Sequence, residues 1–191
     1  MDKLSHAIRK LTIPPVFALL HLLILYFSHP TYIGSVQNLV IAVVCLAVLP
    51  TLGYPLQKYI PYFKDRGRNG QRTLAMLFSA TGYLLGIILG LATSSPRELM
   101  CVYLEYLLCG VAMLVLNRIF KIKASGHACG IIGPVILLLY FRLCIPAAIG
   151  LVLTLPVYSS SLKTKRHTAS ELAVGSVIPI VAIFFAALIA R

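Results

Sequence analysis

Residues 172–190, LAVGSVIPIVAIFFAALIA, run for nineteen positions without a charged side chain. An α-helix rises 1.5 Å per residue, so about 20 apolar residues cross the roughly 30 Å of bilayer hydrocarbon. The stretch therefore reads as a membrane span. The same pattern recurs outward from it: no Asp, Glu, Lys or Arg occurs in 11–57, 73–96, 124–141 or 143–162, and 106–117 follows the single carboxylate Glu105. Spans are expected at about 12–29, 36–56, 73–93, 98–118, 126–141, 144–159 and 171–190. His29-Pro30 and Gly34-Ser35 divide the first long stretch, because Pro and Gly interrupt helices. The fifth and sixth spans are short and are expected to form a tight hairpin turning at Arg142 to Pro146, falling short of the far interface. Residues 1–191 thus read as one all-α domain, a polytopic transmembrane helical bundle of six to seven spans.

Composition agrees with this reading. The hydrophobic set is 59% of the 191 residues and charged residues only 12%, where a soluble globular protein carries about 25%. Net charge is +12, from 17 Lys and Arg against 5 Asp and Glu. In a soluble protein that excess would suggest nucleic acid, but here the cations sit in short loops between spans and no stacking aromatics alternate with them. The bilayer is the expected partner and nucleic acid is not. With seven spans the loops alternate sides. One side holds Lys3, Arg9, Lys10, Lys58, Lys64, Arg66, Arg68, Arg72, Arg118, Lys121, Lys123, Lys163, Lys165 and Arg166, and the other holds Arg97, Arg142 and Arg191. The positive-inside rule then places the N-terminus and the three basic loops on the cytoplasmic side of a cell membrane.

Other features read as packing. Gly82, Gly86 and Gly90 form a GxxxGxxxG ridge that admits a close neighbour, and Gly126, Gly130 and Gly133 form a looser stripe. Glu105 is costly in lipid and should face the bundle interior, with a basic or hydroxyl partner. Cys45, Cys101, Cys109, Cys129 and Cys144 lie in apolar segments without a CxxC pair and read as small buried hydrophobes. His6 and His21 have no partner at a telling spacing. The N-terminal MDKLSHAIRKL resembles a signal peptide, but the apolar run continues without a cleavage site, so a retained first span is expected.

The groups able to do acid, base or nucleophilic work fall in three loops on one expected side: Lys64 to Arg72, Lys121 to His127, and Lys163 to Glu171. Two His, a carboxylate and many cations suit an anionic substrate. Arg and Lys hold phosphate oxygens, Arg through a bidentate fork. Ser125-Gly126 entering a helix offers backbone N–H groups at the positive end of its dipole. His167 and Glu171 are four apart and are expected on one helical face, where the carboxylate fixes the imidazole tautomer and frees the other nitrogen to attack. His127 can then protonate the leaving oxygen. No carboxylate cluster suited to a hard metal is evident, so neither metal nor cofactor is expected.

Ala124-Ser125-Gly126-His127 resembles the PSGH signature of the type 2 phosphatidic acid phosphatase family, with Ala124 in the Pro position. Arg166-His167-Thr168 with Glu171 and Gly175 resembles that family's last signature, SRxxxxxHxxxD, with Glu171 in the Asp position and Ser161 in the Arg position. Lys64 to Arg72 is loosely similar to the first signature, KxxxxxxRP, with Thr73 where Pro would follow. The resemblance spans about residues 60–180. It implies a helical bundle in which His167 is the nucleophile forming a phosphohistidine, Glu171 orients it, and His127 is the general acid. It also implies that Ser125 and Gly126 contact phosphate oxygens. Lys64, Arg66, Arg72, Lys163 and Arg166 are the candidates for stabilising transition-state charge. The expected function is metal-independent hydrolysis of a membrane lipid phosphate or isoprenyl diphosphate. The alternative is a non-catalytic membrane lipid-phosphate binder or transporter with a degenerate site.

Overall fold

A computed structural model of the chain describes residues 13–190. Lys3, His6, Arg9, Lys10 and Arg191, and with them the signal-like N-terminus, lie outside the described residues. Seven helical segments follow one another: α1 Pro14–Ser28, α2 Val36–Tyr59, α3 Gly67–Ala92, α4 Arg97–Ile119, α5 Gly126–Tyr140, α6 Cys144–Lys163 and α7 Ala169–Ile189. One-turn helices at Pro30–Ile33 and Pro61–Lys64 sit in the connections, and among the described residues there is no strand. The chain is an all-α bundle.

Five helices, α2, α3, α4, α6 and α7, are long and apolar enough to cross a membrane. The other two, α1 and α5, have 15 residues each, about 22 Å of helix, short of the hydrocarbon thickness. The expected short hairpin therefore holds for its first arm only. α6 does not end near 159 but continues for 20 residues to Lys163. It continues because Ser159, Ser160 and Ser161 stay helical until Lys165 takes the left-handed conformation, φ 49°. There Lys165 N–H donates to Leu162 O at 2.9 Å and Arg166 N–H to Ser161 O at 3.1 Å, a Schellman termination. α3 likewise starts before the expected 73, at Gly67, so that two-thirds of the first basic loop is a helix terminus.

Helices in lipid gain little from hydrophobic association and rely on close packing at small residues. The glycine ridge of α3 serves this purpose in two ways. A Cβ at Gly82 would collide with the Cys45 carbonyl of α2, which lies in the π-helical turn Val44–Val48. Gly86 and Gly90 instead seat the ring of Tyr103 from α4. Gly53 of α2 reciprocates against the backbone of Ala75, so α2 and α3 form a tight hairpin. In the second stripe Gly130 meets Pro14 of α1 and Gly133 meets the Glu105 carboxylate.

From there the order of neighbours is α3, α4, α7, α5, α6, with α1 packed on α5 and α2. The main core joins Leu22 and Leu25 of α1, Cys45 and Leu46 of α2, Val102 and Tyr103 of α4, Leu137 of α5 and Ala186 of α7. Glu105 is buried there as expected, but its partner is neither basic nor a hydroxyl: Cys109 Sγ donates to Oε1 at 3.1 Å. Of the five cysteines four are buried and Cys144, at the start of α6, is exposed. His21 is buried in α1, and among the described residues neither ring nitrogen has a hydrogen-bond partner.

Candidate active site

α5 and α7 bring the second and third loops together. Ser125 is the N-cap of α5: its Oγ accepts from Ala128 N–H at 3.3 Å, which satisfies one of the unpaired first-turn donors. Its own backbone N–H donates to the carbonyl of Glu171 at 2.9 Å. That bond needs the two helix starts nearly in contact. Gly175 allows it, because a Cβ there would collide with Ser125 O and stand 3.1 Å from Ser125 N and from the Ala128 Cβ. A sequence-local cap and one glycine a turn beyond Glu171 thus lock two segments that are more than 40 residues apart in the chain.

His167 and Glu171 are paired, Nδ1–H donating to Oε2 at 2.7 Å, with side chains 15% and 18% exposed. The cause differs from the expected one. His167 is not on the helix, which begins at Ala169 with Thr168 as its N-cap. Thr168 Oγ1 accepts from Glu171 N–H at 3.2 Å, giving the T-x-x-E pattern of a capping box. In the usual box the carboxylate turns back to the N-cap backbone N–H. Here it reaches one residue further, to the imidazole preceding the cap. The pairing orients the ring through Nδ1, so that in the neutral imidazole Nε2 is the nitrogen with a lone pair.

The remaining members are distributed as follows. Ser125 is wholly buried, and both its hydroxyl and its N–H are engaged as described. Gly126 is exposed at the mouth of the α5 terminus, and His127 follows it, half-buried, in the first turn. Lys163 is exposed on the last residue of α6, and Arg166 is half-buried in the turn between α6 and α7. Lys123 lies within electrostatic reach of the Glu171 carboxylate. Ser161, aligned in the sequence with the Arg of the signature it resembles, is 1% exposed and faces the bundle interior.

The first loop is organised differently. Gln57 Nε2 donates to Phe63 O at 3.0 Å and to Gly67 O at 2.6 Å, tying the end of α2 to the start of α3. The Arg66 guanidinium lies over the Tyr62 ring, 3.8 Å from its centroid. Lys64 and Arg72 are exposed, Arg72 facing Tyr54 of α2. This loop belongs to the α2–α3 hairpin, which packs on the rest of the bundle chiefly through α4 and α1. Among the described residues no hydrogen bond or ion pair joins Lys64, Arg66 or Arg72 to the other two loops.

One positioning residue is not evident from the sequence. Asn117 Oδ1 accepts from Ala124 N–H at 3.0 Å, while its Nδ2 donates to Met113 O at 2.8 Å. It lies in the π-helical turn Val115–Ile119 that ends α4, and it fixes the chain just before Ser125. The one signal for it is an amide immediately before the basic Arg118, at the end of an otherwise apolar span. The chain matches no protein-family model, no curated protein and no solved structure.

Proposed function

We propose that the chain is a membrane phosphatase that hydrolyses a lipid phosphate or isoprenyl diphosphate through a phosphohistidine. The observation that supports this reading is the Ser125 N–H to Glu171 carbonyl bond, which holds the SGH segment beside the His167–Glu171 pair. A nucleophilic imidazole needs a fixed tautomer, and the 2.7 Å contact to Glu171 supplies it.

In the first step His167 Nε2 attacks phosphorus, the P–N bond forms and the P–O bond to the lipid breaks. The leaving oxygen takes a proton from His127. In the second step His127, now neutral, removes a proton from water. The hydroxide attacks phosphorus, the P–N bond breaks and inorganic phosphate leaves. The cations Lys123, Lys163 and Arg166 and the α5 N-terminus at Gly126 stabilise negative charge on the phosphoryl oxygens. Lys64, Arg66 and Arg72 are assigned to the head group or the bilayer surface, because their hairpin packs chiefly on α4 and α1. The positive-inside asymmetry assigns this end of the bundle to the cytoplasmic side of a cell membrane.

The test is phosphate release by the purified full chain in detergent from phosphatidate, phosphatidylglycerophosphate and prenyl diphosphates, with vanadate as competitor and a chelator present. Turnover that persists in chelator is expected, with an acid-labile phosphoryl adduct on His167 after rapid quench that His167→Ala abolishes. Chelator-sensitive turnover without that adduct would overturn the mechanism. Retention of lipid phosphate with no release would identify a binder or transporter instead.

A further inference from the structure

α6 differs from the other long helices in how it is packed. α5 lies between α6 and α7 and packs along both, whereas α6 and α7 make no comparable contact with each other. A hydrogen bond of 2.5 Å between Tyr158 Oη and Ser176 Oγ bridges them. Beyond that bond, away from the His167–Glu171 pair, the two helices leave a groove of about 350 Å³. Ile132, Ile136 and Leu139 of α5 form its floor, Ala148 and Leu151 of α6 one wall and Ile180 of α7 the other. Leu139, Ala148, Leu151 and Ile180 are exposed, so the groove opens sideways toward the surrounding lipid.

The position of the groove follows from helix register. Ser176, which lines its upper end, is five residues along α7 from Glu171, about 7.5 Å of helix. The α5 floor from Ile132 to Leu139 adds roughly 10 Å more, ending near the turn at Arg142. Among the described residues no charged side chain lines it, and the one hydroxyl there, that of Ser176, is already bonded to Tyr158. Lys163, Arg166 and the paired His167 lie at the opposite end of the same three helices. A ligand that satisfies both regions at once carries an anionic head and, a few ångströms from it, a linear apolar chain.

We propose that this groove holds one hydrocarbon tail of the lipid phosphate whose head group occupies the His167–Glu171 site, making the chain selective for long-tailed substrates. The proposal rests on the reading of that site given above. Bulk lipid wets any apolar face without regard to its head group, whereas an occupant anchored at the cationic end enters the groove only when its head is a net-anionic phosphomonoester or diphosphate, which the zwitterionic phosphodiester of phosphatidylcholine is not.

The experiment uses the full chain in lipid nanodiscs and a phosphatidate bearing a photoreactive diazirine midway along one acyl tail, with adducts mapped by mass spectrometry. Adducts are expected on groove residues of α5, α6 and α7. Excess unlabelled phosphatidate should suppress them, and phosphatidylcholine with the same tails should not. Ala148→Phe fills the groove from an exposed position and should lower them about tenfold, the loss expected from excluding two methylenes. Ile180→Trp fills it from the opposite wall and should do the same, so the result does not hang on one variant folding. Adducts spread equally over the outer faces of α2 and α3, or competed equally by phosphatidylcholine, would overturn the proposal. Because labelling needs no turnover, its failure is separable from that of the phosphatase reading. Specific groove labelling without phosphate release would leave the groove standing and remove the enzyme, and release without groove labelling would do the reverse.

Discussion

His127 and Ser161 are the two residues whose surroundings make the sharpest demands on the proposed chemistry. A general acid matters most when the leaving oxygen is basic, so His127→Ala should lower turnover about 10² to 10⁴-fold on an alkyl phosphate. The loss should be much smaller on a nitrophenyl phosphate, whose leaving group departs without a proton. Equal losses on the two substrates, measured as kcat with each, would assign His127 to binding instead. Ser161 stands at the position of the arginine in the signature that the sequence resembles, and introducing that residue looks at first like a repair. Its environment argues otherwise. Ser161 is 1% exposed, and its carbonyl already accepts the Arg166 N–H that terminates α6. A guanidinium at 161 would be an uncompensated buried charge, costing about 3 to 5 kcal/mol. Ser161→Arg should therefore lower the melting temperature without tightening vanadate binding. Tighter vanadate binding at unchanged stability would mean that the side chain reaches the site after all.

Among the elements, the α5–α7 junction decides whether there is a site at all, and it depends on Gly175. A methyl group there would collide with Ser125 O, so Gly175→Ala should push the helices apart, break the Ser125 N–H to Glu171 bond and cost about 1 to 3 kcal/mol. Turnover should fall with it. Gly110 of α4 is the matched control, since a Cβ there would rest 3.6 Å from the Tyr83 ring, an ordinary contact. Gly110→Ala should be neutral in thermal unfolding and in phosphate release, and parallel losses in both variants would refute the special role of Gly175. This junction also shows what the sequence can and cannot reveal. The seven apolar segments are legible because a charge-free run of helix length has to be buried, and a chain this apolar has only the bilayer in which to bury so many. The pairing of His167 with Glu171 is legible as a spacing, but through the wrong geometry, since the four-residue interval straddles a helix cap instead of lying on a helix. The extent of α6 is hidden because three consecutive serines look like a loop, and only the left-handed Lys165 shows where the helix stops. That the α2–α3 hairpin packs chiefly on α4 and α1 cannot be read at all. Motif order along a chain carries no information about which hairpin packs against which helix.

At the scale of the whole molecule, the open variable is which way the bundle faces. Antiparallel connection of α3 to α7 through short turns puts the starts of α3, α5 and α7 at one end, with the turns at 93–96 and 141–143 at the other. Among described residues the first end carries eleven of the counted Lys and Arg, and the second only Arg97 and Arg142. That asymmetry is the orienting signal, and for an enzyme it has a chemical counterpart. A basic end facing the cytoplasm would meet lipid phosphates in the leaflet where anionic lipids give the surface its negative potential, and that potential would concentrate the cationic end against its substrate. Single cysteines in a Cys-free background can decide the question. Asn69, Lys123 and Lys165 are exposed at the basic end, one in each loop region, and Arg142 is exposed at the other. Ala124, although nearer the Ser125-Gly126-His127 segment, is buried and would report nothing. In intact cells, a membrane-impermeant maleimide should label the cysteine replacing Arg142 and spare the other three. Permeabilisation should make all four reactive. If the position-69 cysteine labels from the opposite side to those at 123 and 165, the α2–α3 hairpin is inverted relative to the rest, and the first loop leaves the shared face altogether. If all three label from outside, the connectivity stands but the orientation reverses, and the substrate pool becomes the outer leaflet.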